Sequence, residues 1–268
     1  MKGIAMWEKE SEKYIMIVGH RGVRSLYPEN TLVSFRAALD LKLDLIEFDV
    51  RKTKDGHLVV CHDADIERTT DSKGLIREMT LEQLKTVDAG IKAGEQFAGE
   101  RIPTLEETLD LMVSADYEVL LNVEIKDYDH QVVDETIAML KKYGIAERCV
   151  IACFNAAVVG YVQDKYPEMR TQGFPERYML PNTDPDYPIT EQLYEKMFGI
   201  GIPIRGSKTD DASRLEDVAM AKKYNIRPWL FCADDEESTI LAVEAGATNI
   251  TCNHPYAALK YLAEQGLR

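Results

Sequence analysis

The sequence has no excess of basic residues, and this limits its possible partners. Lys and Arg total 32 while Asp and Glu total 46, which gives a formal net charge of −14 and a pI near 4.9. Proteins that hold nucleic acid or anionic membranes without specificity need a basic face. The composition therefore argues against both kinds of partner, but it leaves room for an anionic small molecule held by a metal or by local basic side chains.

The chain also lacks long apolar runs and paired cysteines. No uninterrupted apolar stretch approaches the ~20 residues of a membrane-spanning helix, and charged residues interrupt the N-terminal segment MKGIAMWEKESEK. The five cysteines are odd in number and form no CxxC pair, which is typical of reduced thiols. We expect a soluble, cytoplasmic protein without a stable membrane insertion, and the sequence leaves its oligomeric state undetermined.

Short β-branched segments alternate with amphipathic helical segments from Ile15 to the C terminus, as in βα units around a parallel sheet. The predicted strands are 15–20, 45–50, 119–126, 149–154, 170–174, 200–205, 227–232 and 249–253. The predicted helices are 31–42, 104–113, 131–143, 156–165, 190–197, 212–223, 236–245 and 256–265. Eight strands and eight helices predict the α/β class and a (β/α)8 TIM barrel, which we expect to form one domain over residues 1–268.

One further strand-like segment, HLVVCH at 57–62, does not fit the barrel count. Only residues 51–56 separate it from the preceding strand, and a parallel neighbour would need a crossover of about a dozen residues. Asp55-Gly56 is a hairpin turn signal. We therefore predict an antiparallel extension at 57–62, followed by an insertion at 64–102 after the second strand, with a helical stretch in MTLEQLKTV.

The ends of the predicted strands carry most of the candidate catalytic side chains. Active sites of barrels lie at the C-terminal ends of their strands, and residues two apart on a strand share one face. Residues at or near these ends that could converge are His20, Arg21, Glu47, Asp49, His62, Glu124 and Lys126. We expect them to meet at one mouth.

These residue types favour phosphate chemistry. The three carboxylates, without thiolates, suit one hard divalent cation such as Mg²⁺ or Ca²⁺, and without a cation they would repel one another. Arg21 offers a planar fork for phosphate and Lys126 a point charge. Two histidines can divide general-base and general-acid work near neutral pH. The set predicts metal-assisted phosphoryl transfer, in which one ion stabilises charge on the phosphate and activates an oxygen nucleophile.

Five ordered motifs between about residue 14 and residue 126 resemble the glycerophosphodiester phosphodiesterases. They are HRGVRSLYPENT from His20, EFDVRKTKDGHLVVCHD from Glu47, ERTTDSKG from Glu67, IPTLEE from Ile102 and NVEIK from Asn122. The resemblance implies a barrel with an insertion after the second strand, and hydrolysis of glycerophosphodiesters to glycerol 3-phosphate and an alcohol. It also implies a metal on Glu47, Asp49 and Glu124, acid–base work by His20 and His62, and phosphate contact from Arg21.

The second half of the chain matches this family less closely. Trp229 stands where the family often has a tryptophan near the mouth, so we predict a substrate contact there, with an ordinary core position as the alternative. Leu230-Phe231-Cys232 replaces the usual Thr-Val-Asn, which leaves the alcohol group of the substrate open.

Simpler interpretations of several residues also stay open. Arg21 and Lys126 would then only neutralise neighbouring carboxylates, and Asn30 would be the N-cap of the first helix. Two other functions also remain: a barrel lyase that forms a cyclic phosphate, as a phospholipase D-like enzyme would, and a non-catalytic relative that binds phosphorylated metabolites.

Overall fold

The computed structural model describes residue 7 and residues 13–180, 184–205 and 210–268. Residues 8–12, whose charges interrupt the N-terminal segment, lie outside the described residues. The strands are β1 Met16–His20, β2 Leu45–Lys52, β3 Leu58–Val60, β4 Leu120–Ile125, β5 Cys149–Ala152, β6 Arg170–Gly173, β7 Gly199–Pro203, β8 Arg227–Phe231 and β9 Asn249–Cys252. The described helices are α1 Leu32–Asp40, α2 Leu81–Leu84, α3 Leu105–Val113, α4 His130–Lys142, α5 Ala156–Lys165, α6 Glu191–Glu195, α7 Asp211–Lys223, α8 Glu236–Ala245 and α9 Tyr256–Glu264.

The fold is a TIM barrel of parallel strands with helices between them. Each of the eight predicted barrel strands and each of the eight predicted helices is confirmed, with bounds that differ by at most two residues. Strand β2 shows why a run of apolar residues predicts a buried strand: Leu45, Ile46, Phe48 and Val50 are fully buried. A strand covered on both sides is apolar almost throughout, so the polar residues within it stand out.

The chain divides into two compact units, one of them spanning Gly19–Ala146. In this unit β2 pairs in parallel with β4, with Asp49 opposite Glu124. It also pairs antiparallel with β3, with Val50 opposite Val60. The predicted antiparallel extension is therefore confirmed.

Residues 64–102 belong to the same unit and contain the short helix α2 inside the predicted helical stretch. Their description as an inserted subregion stays a prediction. Thr80 and Gln83 close a capping box at the start of α2. An apolar cluster joins residues of this segment to Val59 of β3 and to Cys61; its members are Val59, Cys61, Ile66, Ile76, Leu84, Val87, Ala89 and Ile102.

The other unit comprises the described residues up to Val18 together with residues 147–268. Its strands β5 to β9 lie in sequence order, and each pairs in parallel with the next. The single-domain interpretation of the chain stays a prediction. No described helix is long and apolar enough to cross a membrane.

Candidate active site

Three carboxylates meet between β2 and β4. Glu47 and Asp49 are two apart on β2 and share one face, and the parallel register places Glu124 of β4 directly beside Asp49. One oxygen from each carboxylate lies within 4.8 Å of the others. The pairing of β2 with β4 therefore builds the cluster. Glu47 and Asp49 are buried, and Glu124 is nearly buried.

The three carboxyl groups differ in how burial and charge set their pKa values. Burial, together with the charge of Asp49, raises the pKa of Glu47 well above its usual range. Burial likewise raises the pKa of Glu124 to about 7. Burial would also raise the pKa of Asp49, but Lys126 and Arg21 outweigh it and hold that pKa below its usual value. Such a cluster favours a bound cation, because a cation would relieve the repulsion among the carboxylates.

The carboxylate oxygens fit a divalent metal. Within the described part of the chain, Oε1 of Glu47 is buried and has no hydrogen-bond partner. A buried oxygen without a partner is costly, and a cation would satisfy it. An all-carboxylate donor set suits a hard cation. Glu47, Asp49 and Glu124 therefore form a possible divalent-metal site.

Two basic side chains lie against this cluster. The backbone N–H of Arg21 donates to Oε2 of Glu47 over 2.8 Å, and its Nε lies 3.3 Å from Oδ2 of Asp49. Nζ of Lys126 lies 3.2 Å from Oδ1 of Asp49, a contact without hydrogen-bond geometry, and it also pairs with Glu124. The contacts of Arg21 and Lys126 with carboxylates fit charge neutralisation, and their places at the cluster also fit phosphate binding.

Two histidines flank the carboxylates in the same unit. Nε2 of His20, at the end of β1, lies 3.9 Å from Oε2 of Glu47. Nδ1 of His62 lies 2.6 Å from Oδ1 of Asp63, and the carbonyl of His62 accepts hydrogen bonds from Nε and Nη2 of Arg51. Burial, with Lys126 and Arg21, lowers the pKa of His62 despite the opposing charge of Asp49. His62 is therefore held mainly neutral near neutral pH.

The interpretation of Asn30 as the N-cap of the first helix, which the sequence left open, is wrong. Thr31 is the N-cap of α1, and its side chain accepts a hydrogen bond from the backbone N–H of Ser34. The backbone of Asn30 turns into the left-handed region with φ of 57°. This turn sends Nδ2 of Asn30 to Oδ2 of Asp49, at 2.8 Å.

Glu29 is a second residue of the site that sequence reasoning missed. Its Oε1 accepts a 2.8 Å hydrogen bond from Nη1 of Arg21. Arg21 and Arg68 help to lower the pKa of Glu29 to about 2, although burial opposes them. The available signal was its position beside Asn30 in the first motif, but the N-cap interpretation of Asn30 pointed to a helix start there and not to a site residue.

Trp229 belongs to the other unit and lies inside it. It is 1% exposed and stacks on Trp7 with ring centroids 6.4 Å apart. These contacts are those of a core side chain. A substrate contact by Trp229 stays a prediction.

Comparison with known proteins points to one family. A family model described as the glycerophosphoryl diester phosphodiesterase family matches residues 20–257. The chain is 42% identical over 158 residues to a glycerophosphodiester phosphodiesterase of Caldanaerobacter subterraneus subsp. tengcongensis, which covers 58% of this chain and 64% of the relative. The chain thus spans just under two thirds of that relative's length.

Two longer matches agree. A glycerophosphodiester phosphodiesterase of Bacillus subtilis is 28% identical over 257 residues, covering 90% of this chain and 84% of the relative. A structure of an Oleispira antarctica phosphodiesterase in complex with the product sn-glycerol-3-phosphate superposes with a TM-score of 0.75 at 24% identity, covering 94% of this chain and 97% of that one. This second likeness concerns the fold.

Proposed function

Since the chain belongs to the glycerophosphoryl diester phosphodiesterase family, we propose that it hydrolyses glycerophosphodiesters to glycerol 3-phosphate and an alcohol. The observation that carries the proposal is the convergence of Glu47, Asp49 and Glu124 within 4.8 Å, with an arginine, a lysine and two histidines around them. This activity would place the protein in lipid and glycerol metabolism, and we retain the cytoplasm as its expected location.

One divalent cation, Mg²⁺ or Ca²⁺, is the expected cofactor. Glu47, Asp49 and Glu124 would hold it, and Oε1 of Glu47, which has no hydrogen-bond partner, would then be one of its ligands. When bound, such an ion stabilises negative charge on a phosphate and activates an oxygen nucleophile. Asn30 already orients Asp49 for this task through its amide hydrogen bond.

The basic side chains are assigned to the phosphate. Glu29 holds one terminal nitrogen of Arg21, and this contact fixes the plane of the guanidinium. A planar guanidinium can contact two oxygens of one phosphate group. Lys126 adds a positive charge beside the carboxylates, where it reduces their repulsion toward an anionic substrate.

The two histidines are assigned to proton transfer. His62 is held mainly neutral, so its ring can accept a proton, and we assign it the proton of the attacking oxygen. His20 then gives a proton to the oxygen of the leaving alcohol as the phosphorus–oxygen bond breaks. The attacking oxygen is either that of water or the 2-hydroxyl of the glycerol, which would give a cyclic phosphate that water opens.

Release of glycerol 3-phosphate from glycerophosphocholine tests the proposal. The reaction is followed with EDTA, and then with Mg²⁺ or Ca²⁺ restored. We expect product only with a metal. An accumulating cyclic phosphate would favour the lyase, and no product from any glycerophosphodiester with either metal would favour a binding protein. Comparing rates on glycerophosphodiesters with different head groups then shows which alcohol the reaction prefers to release.

A further inference from the structure

The ERTTDSKG motif contributes a side chain to the site that the assignments above do not use. Arg68, which follows Glu67 in this motif, donates from Nε to Oδ2 of Asp63 over 2.6 Å. The opposite carboxylate oxygen of Asp63 lies 2.6 Å from Nδ1 of His62. The insertion therefore reaches the catalytic histidine through a single carboxylate.

The same guanidinium holds a second carboxylate. Nη1 and Nη2 of Arg68 donate to Oε2 and Oε1 of Glu29 at 2.9 and 2.7 Å. Glu29 in turn accepts from Nη1 of Arg21 at 2.8 Å. One forked side chain thus joins the carboxylate that orients His62 to the carboxylate that orients Arg21. A lysine could not reproduce this, because its single ammonium has no planar fork.

The contact with Asp63 decides which nitrogen of His62 reacts. Asp63 lies 2.6 Å from Nδ1, and because an ionised carboxylate can only accept a hydrogen bond, Nδ1–H is the donor. The lone pair of neutral His62 is then at Nε2. Partners of this kind orient the reacting ring and typically change activity about 10- to 100-fold when they are removed.

We propose that Asp63 and Arg68 are positioning residues, with Asp63 fixing the tautomer of His62 and Arg68 locking Asp63 and Glu29 in place together. The inference rests on the proposed function, because it assigns these residues to that reaction. Through Arg68, the insertion then has a role in catalysis.

Charged groups from several elements surround His62 and set the direction of the expected pH effect. Asp49 of β2, Lys126 after β4 and Arg21 after β1 act on its ring, in addition to Asp63. The negative charge of Asp63 favours the protonated ring. Asp63→Asn should therefore shift the acid limb of the kcat/KM profile to lower pH. A loss of packing alone would not move this limb.

The kinetic test separates the two residues. Asp63→Asn should lower kcat about 10- to 100-fold with little change in KM, since it acts through His62. Arg68→Gln should lower kcat and also raise KM, because it releases Glu29 and with it Arg21. Arg68→Lys keeps the charge and should recover part of kcat. Equal kinetics in wild type and Asp63→Asn, with an unmoved acid limb, would overturn the proposal.

A matched control lies in the same insertion. The carboxylate of Asp88 accepts hydrogen bonds from the backbone N–H groups of Gly90, Ile91 and Gly99. Asp88→Asn should weaken the insertion, lowering Tm, yet leave the acid limb of the pH profile in place. If it shifts that limb as Asp63→Asn does, the effect is one of insertion folding and the proposal fails.

Nitrogen-15 NMR of the histidine rings gives a readout independent of turnover. In the full-length protein with Mg²⁺, neutral His62 should show a protonated Nδ1 and a bare Nε2, with the signals assigned from His62→Asn. Asp63→Asn should give a mixture of tautomers. An unchanged tautomer would overturn the proposal even if glycerol 3-phosphate is released. A wild type that releases no product would instead contradict the proposed function, and NMR would still decide the tautomer question.

Discussion

A buried hydrogen bond of 2.8 Å joins Nδ2 of Asn30 to Oδ2 of Asp49, although the two residues are 19 positions apart. It exists because Asn30 adopts a φ of 57°, a left-handed conformation that asparagine tolerates better than most residues. The backbone N–H of Asn30 also donates to the carbonyl of Arg21. The loop after β1 is therefore tied to a carboxylate of the proposed metal site.

Removing the amide of Asn30 should weaken metal binding. Asn30→Gly keeps a residue that adopts positive φ, so it removes only the hydrogen bond to Asp49. We expect Mg²⁺ or Ca²⁺ affinity, measured by calorimetry, to fall about 10- to 100-fold. Asn30→Ala should add a backbone cost of about 1–2 kcal/mol, measured by urea unfolding. Wild-type affinity in Asn30→Gly would show that the bond does not orient Asp49 for metal.

Metal addition should stabilise the fold. The ion relieves the repulsion among the three carboxylates, and a ligand at 100 times its Kd adds about 2.7 kcal/mol to the free energy of unfolding. Tm should therefore rise with Mg²⁺ or Ca²⁺ and fall with EDTA in a thermal melt. Glu124→Gln should lose most of this response, whereas Glu106→Gln, an exposed residue of α3, should keep it. Equal responses in the two variants would place the metal elsewhere.

Each of the two histidines proposed for proton transfer should be essential for turnover but not for folding. His20→Ala and His62→Ala each remove one proton-transfer group, which typically costs about 10²- to 10⁴-fold in rate. Initial rates of glycerol 3-phosphate release measure the loss, and circular dichroism checks the fold. Near wild-type rates in either variant would contradict the two-histidine mechanism.

Glu29 should make the free energy of unfolding depend on pH in the acidic range. Its pKa is lowered from 4.5 to about 2, so the unfolded chain binds more protons between these values and stability rises with pH there. The contribution is fully present above 4.5 and is lost as pH falls through about 2. A shift of this size corresponds to ~3 kcal/mol at most.

Glu29→Gln isolates this effect. Urea unfolding of wild type and variant near neutral pH should differ, with the variant less stable, and the difference should shrink as the pH falls below 4.5. If the stability difference between wild type and variant stays constant as the pH falls below 4.5, ionisation of the Glu29 carboxyl group is not its cause.

Local patterns in the sequence predict the helices and strands and bring the carboxylates of the candidate site together. Strand and helix periodicity are local properties, so β2 and β4 and the helices between strands followed from the order of apolar residues. Glu47 and Asp49 could be placed on one face because side chains alternate along a strand. Parallel pairing then brings Glu124 beside Asp49.

Which other polar side chains meet at the candidate site depends on the three-dimensional path of the chain. Arg68 reaches Glu29 across 39 positions of the chain. A φ of 57° at Asn30 turned a presumed helix cap into a partner of Asp49. Trp229 lies against Trp7 inside its unit, far from it in sequence. These contacts depend on backbone torsions in the loops and on where each loop places its side chains. Residue spacing along the chain does not encode either of these, because both are set by three-dimensional packing.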